Sequence, residues 1–206
     1  FVAKKFEAER PEHMFTDDIP YTDAVLTTRE LIWMIKAYGI DFTSLPEDEL
    51  DNPLGFSSGA ADIFGTTGGV MEAALRTAAE KLTGRPLEKL DFTQVREAEG
   101  LKEASIKIGA KKINVAVANG LTNAKTILDK VREGKKAYHL IELMACPGGC
   151  IGGGGQPYPP SGYHVLDKRV NAMRAQALYT IDEQKKVRKS HENPFIKKLY
   201  EEYLGE

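Results

Sequence analysis

Ile113-Asn-Val-Ala-Val-Ala-Asn119 and, after an intervening stretch, Tyr138-His-Leu-Ile-Glu-Leu-Met144 decide the fold of this 206-residue chain. Both segments have the β-rich, alternating character of strands. Between them, Asn123 to Arg132 places Ile127, Leu128 and Val131 on one face of an amphipathic helix. Strand, helix and strand in this order make a βαβ unit, which predicts an α/β fold with a parallel sheet and flanking helices. Ligands in such folds gather where the strands end at their carboxyl edges. Met144-Ala145-Cys146 lies at such an edge.

Directly after it runs Cys146-Pro-Gly-Gly-Cys150-Ile-Gly-Gly-Gly-Gly-Gln156-Pro157, which packs glycine into six of the eight positions from 148 to 155. Proline and paired glycine between two thiols prevent a regular helix and let the backbone wrap, so that both sulfurs can face one object. Thiolates select soft metals or iron–sulfur clusters, and bare glycine amides can hydrogen-bond to cluster sulfurs and tune their potential. Other chemistries fit less well. Neither G-x-x-x-x-G-K-[ST] nor G-x-G-x-x-G occurs, so a nucleotide loop lacks its motif. A zinc site needs further ligands, and His13, His139, His164 and His191 are scattered without a paired spacing. A redox pair more often has the spacing C-x-x-C. On chemistry alone, cluster ligation and an inert glycine turn with buried thiols both stand open.

Upstream, Thr27 followed by Glu30 forms a capping box, and the apolar stripe behind it predicts a helix over 28–38, ended by Gly39. From 41 to 59 the chain is loop-like, with a solvated acidic run at Glu47, Asp48, Glu49 and Asp51. Ile63-Phe64-Gly65-Thr66-Thr67-Gly68-Gly69 then leads into a helix over about 68–83, ended by Gly84 and Pro86. Gly68 and Gly69 admit either a close neighbouring backbone or a bound inorganic group at amides without an intrahelical partner. Past a proline-rich loop, 170–179 reads as helical, and Asn193 caps a final helix with Pro194 at its first position.

Composition narrows the function classes. Twenty-eight Lys and Arg against 30 Asp and Glu give a net charge of -2, with no basic excess to draw nucleic acid. No apolar run approaches the roughly 18 residues that a membrane-crossing helix needs. Two cysteines are too few for a disulfide scaffold.

Several segments together resemble one family. Met144 to Pro157 is similar to the signature M-A-C-P-G-G-C-x-x-G-G-G-Q-P of iron-only (FeFe) hydrogenases, and Phe64 to Arg76 resembles their second signature, F-G-x-T-G-G-V-M-E-A-A-L-R. Ala3-Lys4-Lys5 resembles the tail of the family's P-C-x-A-K-K motif, and Arg188 to Pro194 its C-terminal region. The resemblance implies part of the family's two-lobed catalytic domain, closest to catalytic subunits of multisubunit cytoplasmic hydrogenases. It also implies the reversible interconversion of dihydrogen with protons and electrons. The implied cofactor is the H-cluster: a 4Fe–4S cubane joined through one cysteine to a di-iron centre carrying CO, cyanide and a dithiolate bridge. By this resemblance Cys146 is a cubane ligand and Cys150 the bridging ligand. Lys4 matches the lysine that hydrogen-bonds an iron-bound cyanide, a role suited to a compact cation. Met144 matches the methionine near the di-iron centre, and Phe64 lines the same pocket beside Gly65. The implied electron partners are ferredoxin or flavin and iron–sulfur subunits linked to NAD(P).

The chain also departs from the family pattern. The T-S-C-C-P motif is absent, and Phe1 stands where the P-C-x-A-K-K cysteine belongs, so two of four cubane ligands are missing from these residues. The expectation is a C-terminal portion, 1–206, of a large-subunit catalytic domain that is inactive in isolation. The expected setting is the cytoplasm, with the periplasm left open. Two alternatives are an iron–sulfur assembly scaffold of hydrogenase ancestry without a di-iron centre, and a cofactor-free fragment.

Overall fold

The computed structural model describes residues 1–13, 19–49, 51–53, 55–96, 100–164 and 166–205. They fall into two units, Phe1–Asp51 with Gly153–Val165, and Asn52–Gly152 with Leu166–Glu206. Among the described residues, every buried apolar side chain belongs to the second unit.

The first unit holds α1 (Ala3–Ala8) and α2 (Thr28–Ala37). The capping box forms as the sequence predicts. Thr27 Oγ1 accepts from the Glu30 amide at 3.2 Å, and Glu30 Oε2 accepts from the Thr27 amide at 2.8 Å. Lys5 reaches the same carboxylate at 2.8 Å and holds it well below its ordinary range, at about 2.

The second unit is built on a three-stranded sheet in the order β1–β2–β3 (Leu101–Ile108, Lys111–Asn119, Leu140–Met144). β2 and β3 pair in parallel from Val115↔Leu140 to Asn119↔Met144, with α5 (Leu121–Arg132) as the crossover. This is the predicted βαβ unit. The sheet is nevertheless mixed, because β1 pairs antiparallel with β2 through a tight turn at Gly109, where φ is +58°. Alternation puts Ile106, Ile108, Val115 and Val117 against Met71, Leu75 and Ala79 of α4 (Gly69–Thr83) on one face. Ala116 and Ala118 meet Ile127 of α5 on the other. Both faces of the sheet are therefore covered, which is what the apolar run in β2 requires.

The remaining helices of the unit are α3 (Gly59–Asp62), α6 (Lys168–Gln184) and α7 (Pro194–Leu199). α6 is two residues longer at its start and five at its end than the sequence predicts. Ala60 and Ile63 pack against Ala175 and Tyr179 of α6, making a second apolar cluster with Ala73 and Ile151. The predicted cap at Asn193 is present, accepting from the Phe195 amide at 3.0 Å.

Beside these clusters lies a charged network. Arg76, Glu72 and Asp182 are fully buried. Arg76 forks onto both Asp182 oxygens at 2.8 Å and onto Glu72 Oε1 at 2.8 Å. Arg96 grips Glu72 at 2.7 Å through two nitrogens, and Arg188 reaches Asp182 at 2.6 Å. Burial alone would raise the Asp182 carboxyl, but Arg76 and Arg188 outweigh it and hold the pKa down. Asp91, half exposed, joins Arg96 and Arg188 at the rim.

The C-terminal segment is fixed to α4 by Glu80, which accepts from Lys189 Nζ at 2.8 Å, meets His191 Nε2 at 2.8 Å, and takes the Leu87 amide at 2.7 Å. Lys189 is the largest cause of a Glu80 pKa lowered to about 2. A lowered carboxyl pKa gives stability that is complete above the unfolded value and is lost as pH falls through the folded one. The acid limb of unfolding between about pH 4.5 and pH 2 is therefore expected to be shallower in Glu80→Gln than in wild type, read by circular dichroism during acid titration. An identical limb would remove Glu80 from this role.

Candidate functional site

The segment Cys146 to Gly152 leaves the parallel pair at its carboxyl edge, two residues after β3 ends. Gly148 and Gly149 have φ of +78° and +98°, a region that side chains with a Cβ rarely enter. Gly149 is also needed for space, because a Cβ there would lie 2.8 Å from the Thr67 amide nitrogen and 2.9 Å from the Gly65 carbonyl oxygen. A Cβ on Gly152 would meet the Pro147 carbonyl oxygen at 1.8 Å. The loop thus closes on itself and on the Gly65–Thr67 turn through glycine alone.

Hydrogen bonds complete the clamp. The Thr67 amide donates to the Gly148 carbonyl at 2.9 Å. From α6, Asn171 Nδ2 donates to the Pro147 carbonyl at 3.3 Å and Arg174 Nη1 to the Ile151 carbonyl at 2.7 Å. From the end of β2, Asn119 Nδ2 donates to the Cys146 carbonyl and lies 3.2 Å from Thr67 Oγ1.

Cys146 is half-buried, Cys150 is exposed, and both are free thiols. Met144 is half-buried at the end of β3, and Phe64 is 46% exposed on the 3₁₀ turn Ile63–Gly65. These residues and Gly65 all belong to the second unit. Lys4 belongs to the first, on α1, where its ammonium pairs with Glu7. A cavity of about 670 Å³ in the second unit is walled by Thr66, Thr67, Asn119, Pro147, Gly148 and Tyr179 among others. Of the loop, Pro147, Gly148 and Ile151 wall it, and the two cysteines do not.

Glu142, two residues before Met144, takes up the question left by Gly68 and Gly69. Its buried carboxylate accepts from the Gly68 amide at 2.6 Å and the Met71 amide at 2.7 Å, at the start of α4. Burial pushes this carboxyl up, while the amides favour its charged form. The space beside Gly68 and Gly69 is filled by the carbonyls of Val95 and Ile63, which a Cβ would approach at 1.9 and 1.7 Å. The close backbone approach is therefore realised, and a carboxylate of the chain itself occupies the helix start. Asn119, Glu142, Asn171 and Arg174 go unnoticed in the sequence reading. For Glu142 a signal existed: an acid inside the apolar strand Leu-Ile-Glu-Leu-Met must find donors when buried.

The Gly152 contact gives a direct test. Gly152→Ala is expected to destabilise by about 1–3 kcal/mol, as overpacking against fixed backbone does. Gly154→Ala, where a Cβ meets nothing within 4 Å, is expected to stay within about 0.5 kcal/mol. Urea midpoints of the two variants measure the difference.

Comparison with known proteins places this arrangement in context. Residues 2–154 match the family model described as iron only hydrogenase large subunit, C-terminal domain, and residues 168–206 match that of the iron hydrogenase small subunit. The NADP-reducing hydrogenase subunit HndD of Solidesulfovibrio fructosivorans is 51% identical over 99% of this chain, which corresponds to 34% of that protein. A solved FeFe-hydrogenase from Chlamydomonas reinhardtii superposes with a TM-score of 0.74 at 41% identity, covering 100% of this chain and 57% of that one. Protein NAR1 of Arabidopsis thaliana is more distant, at 33% identity over 98% of this chain and 44% of that protein. The chain thus spans between about a third and three-fifths of the length of these proteins. With the large-subunit model covering most of its residues and the cysteine loop set at the sheet edge, the chain belongs to the iron-only hydrogenase large-subunit family, in its C-terminal domain.

Proposed function

We propose that this chain forms the C-terminal part of an iron-only hydrogenase catalytic domain, and that Cys146 and Cys150 supply two thiolate ligands to its cluster. The observation that carries this reading is the cysteine loop itself. Two free thiols stand on a turn held by positive-φ glycines and by donors from a helix, a strand end and a neighbouring turn. A soft two-thiolate donor set on such a fixed turn fits an iron–sulfur cluster and suits a nucleotide or a hard cation poorly.

In this reading Cys146 holds the cubane, and Cys150 joins it to the di-iron centre. When bound, that cofactor supplies the interconversion of dihydrogen with protons and electrons. The protein's own part is ligation, orientation and shielding. By the family resemblance, Phe64, Gly65 and Met144 would help to shield the di-iron centre. Electron exchange with flavin and iron–sulfur subunits linked to NAD(P) is favoured over ferredoxin, supported by the name of the HndD relative. A reducing, cytoplasmic setting is part of the proposal. Among the described residues no helix is long and apolar enough to cross a membrane.

The second reading, an assembly scaffold, is favoured by the likeness to Protein NAR1. Iron and acid-labile sulfide analysis of the complete, anaerobically reconstituted protein, with a hydrogen-evolution assay, separates the two. Hydrogen evolution together with iron that falls in Cys146→Ala supports the enzyme. Cysteine-dependent iron without hydrogen in either direction selects the scaffold. Iron content indifferent to Cys146 and Cys150 overturns both.

A further inference from the structure

We infer that Asn119 is a positioning residue for the Cys146 thiolate, an inference that rests on the cluster ligation proposed above. Asn119 is the last residue of β2, opposite Met144 in the parallel register. Its main chain is committed on both sides: its amide donates to the Gly100 carbonyl at 2.7 Å, and its carbonyl accepts from Asn123 Nδ2 at 2.7 Å. The carboxamide therefore projects from a fixed stem. Its Nδ2 carries two hydrogens. One serves the Cys146 carbonyl, and the other faces Thr67 Oγ1 at 3.2 Å. One side chain thus ties the cysteine loop to the Gly65–Thr67 turn.

The Cys146 carbonyl receives a second donor from its own turn, the Gly149 amide at 3.0 Å. Two donors from different directions fix the peptide plane between Cys146 and Pro147. Rotation of that plane, which would swing the Cys146 side chain, has to break both bonds. Gly149 cannot compensate, because its position is set by its close approach to Thr67 and Gly65. Asn119 acts through the backbone of a ligand and touches no reacting atom. Loss of such an outer partner typically costs roughly 10–100-fold in metal affinity.

The test uses the complete, cluster-loaded protein and three variants. Asn119→Asp keeps the shape and replaces the donor with an oxygen that repels the Cys146 carbonyl. Asn119→Ala removes the group without burying a charge and serves if the aspartate variant fails to fold. Thr67→Val removes only the hydroxyl that Asn119 also faces. The expected result is at least about tenfold faster release of iron to a chelator in the Asn119 variants. It comes with shifted g-values and midpoint potential of the cubane at full loading. Thr67→Val, which leaves the bond to the Cys146 carbonyl in place, is expected to fall between wild type and the Asn119 variants, and the thermal midpoint of the Asn119→Ala apo-protein to stay close to wild type. Wild-type spectra and release rates in both Asn119 variants overturn the positioning role. If Cys146→Ala itself retains the cubane, the ligation reading fails, which is a different outcome from failure of the Asn119 variants alone.

Discussion

Cys150→Ala in the complete protein is expected to abolish hydrogen turnover, with at least about a 100-fold loss in rate, corresponding to about 2.7 kcal/mol or more of lost transition-state stabilisation. The variant is expected to leave the fold of the apo-protein unchanged. The reason for this split is position. Cys150 is exposed at the start of a short 3₁₀ turn, and it carries none of the hydrogen bonds that clamp its loop through Asn119, Asn171, Arg174 and Thr67. Removing an exposed sulfur therefore changes apo stability by about 0.5 kcal/mol or less. It removes a thiolate for which alanine offers no donor atom. Hydrogen assays beside thermal melts of the apo-protein read both quantities at once. Retained turnover overturns the bridging role, and collapse of the apo fold shows that the thiol serves packing instead.

Arg76→Met is expected to have the largest effect on stability. Arg76 is fully buried between Glu72 and Asp182, themselves fully buried, and its guanidinium supplies three of their close bonds. Methionine fills much of the volume but leaves two buried carboxylates sharing Arg96 and Arg188. Breaking a buried pair by removing one partner costs about 3–5 kcal/mol, because the charge left behind is uncompensated. For a domain of this size that lowers the melting temperature by roughly 10 °C. The companion double variant Arg76→Met with Asp182→Asn should cost less than the sum of its parts, since the second change removes the stranded charge. Additive losses, or a single-variant cost below about 1 kcal/mol, show that the network is not what joins α4 to α6.

The same two residues show what a signature encodes. Glu72 and Arg76 belong to the stretch Phe64–Arg76 that resembles a hydrogenase signature, yet both are spent on the interior ion network. Gly68 and Gly69 are spent on contacts with backbone. The visible motif is largely an instruction for packing a helix onto its sheet, and its leading stretch Gly65–Thr67 is what meets the cysteine loop.

Local patterns proved readable where one period dominated. The capping box at Thr27, the β-branched run of β2, the crossover helix and the Asn193 cap are each settled by a few neighbouring residues. β1 escaped because Leu-Lys-Glu-Ala-Ser-Ile-Lys-Ile is rich in residues that favour helix, and its period of two shows only as Ala104, Ile106 and Ile108. Its identity as a strand depends on β2 lying beside it. Cys146 and Cys150 stood out by spacing and glycine context. Asn119, Asn171 and Arg174 did not, because their importance lies in carbonyls 23–27 residues away in the sequence. No local window contains both ends of such a bond.

The clamp on the cysteine loop has a bearing on gene architecture. The large-subunit match ends at residue 154 and the small-subunit match begins at 168. Two of the bonds that hold the loop, from Asn171 and Arg174, come from beyond that seam, whereas Thr67 and Asn119 lie before it. The clamp thus draws on both sides of the seam, and the same loop geometry can be written in one reading frame or assembled from two polypeptides. In the second case a ligand's orientation becomes a property of subunit association.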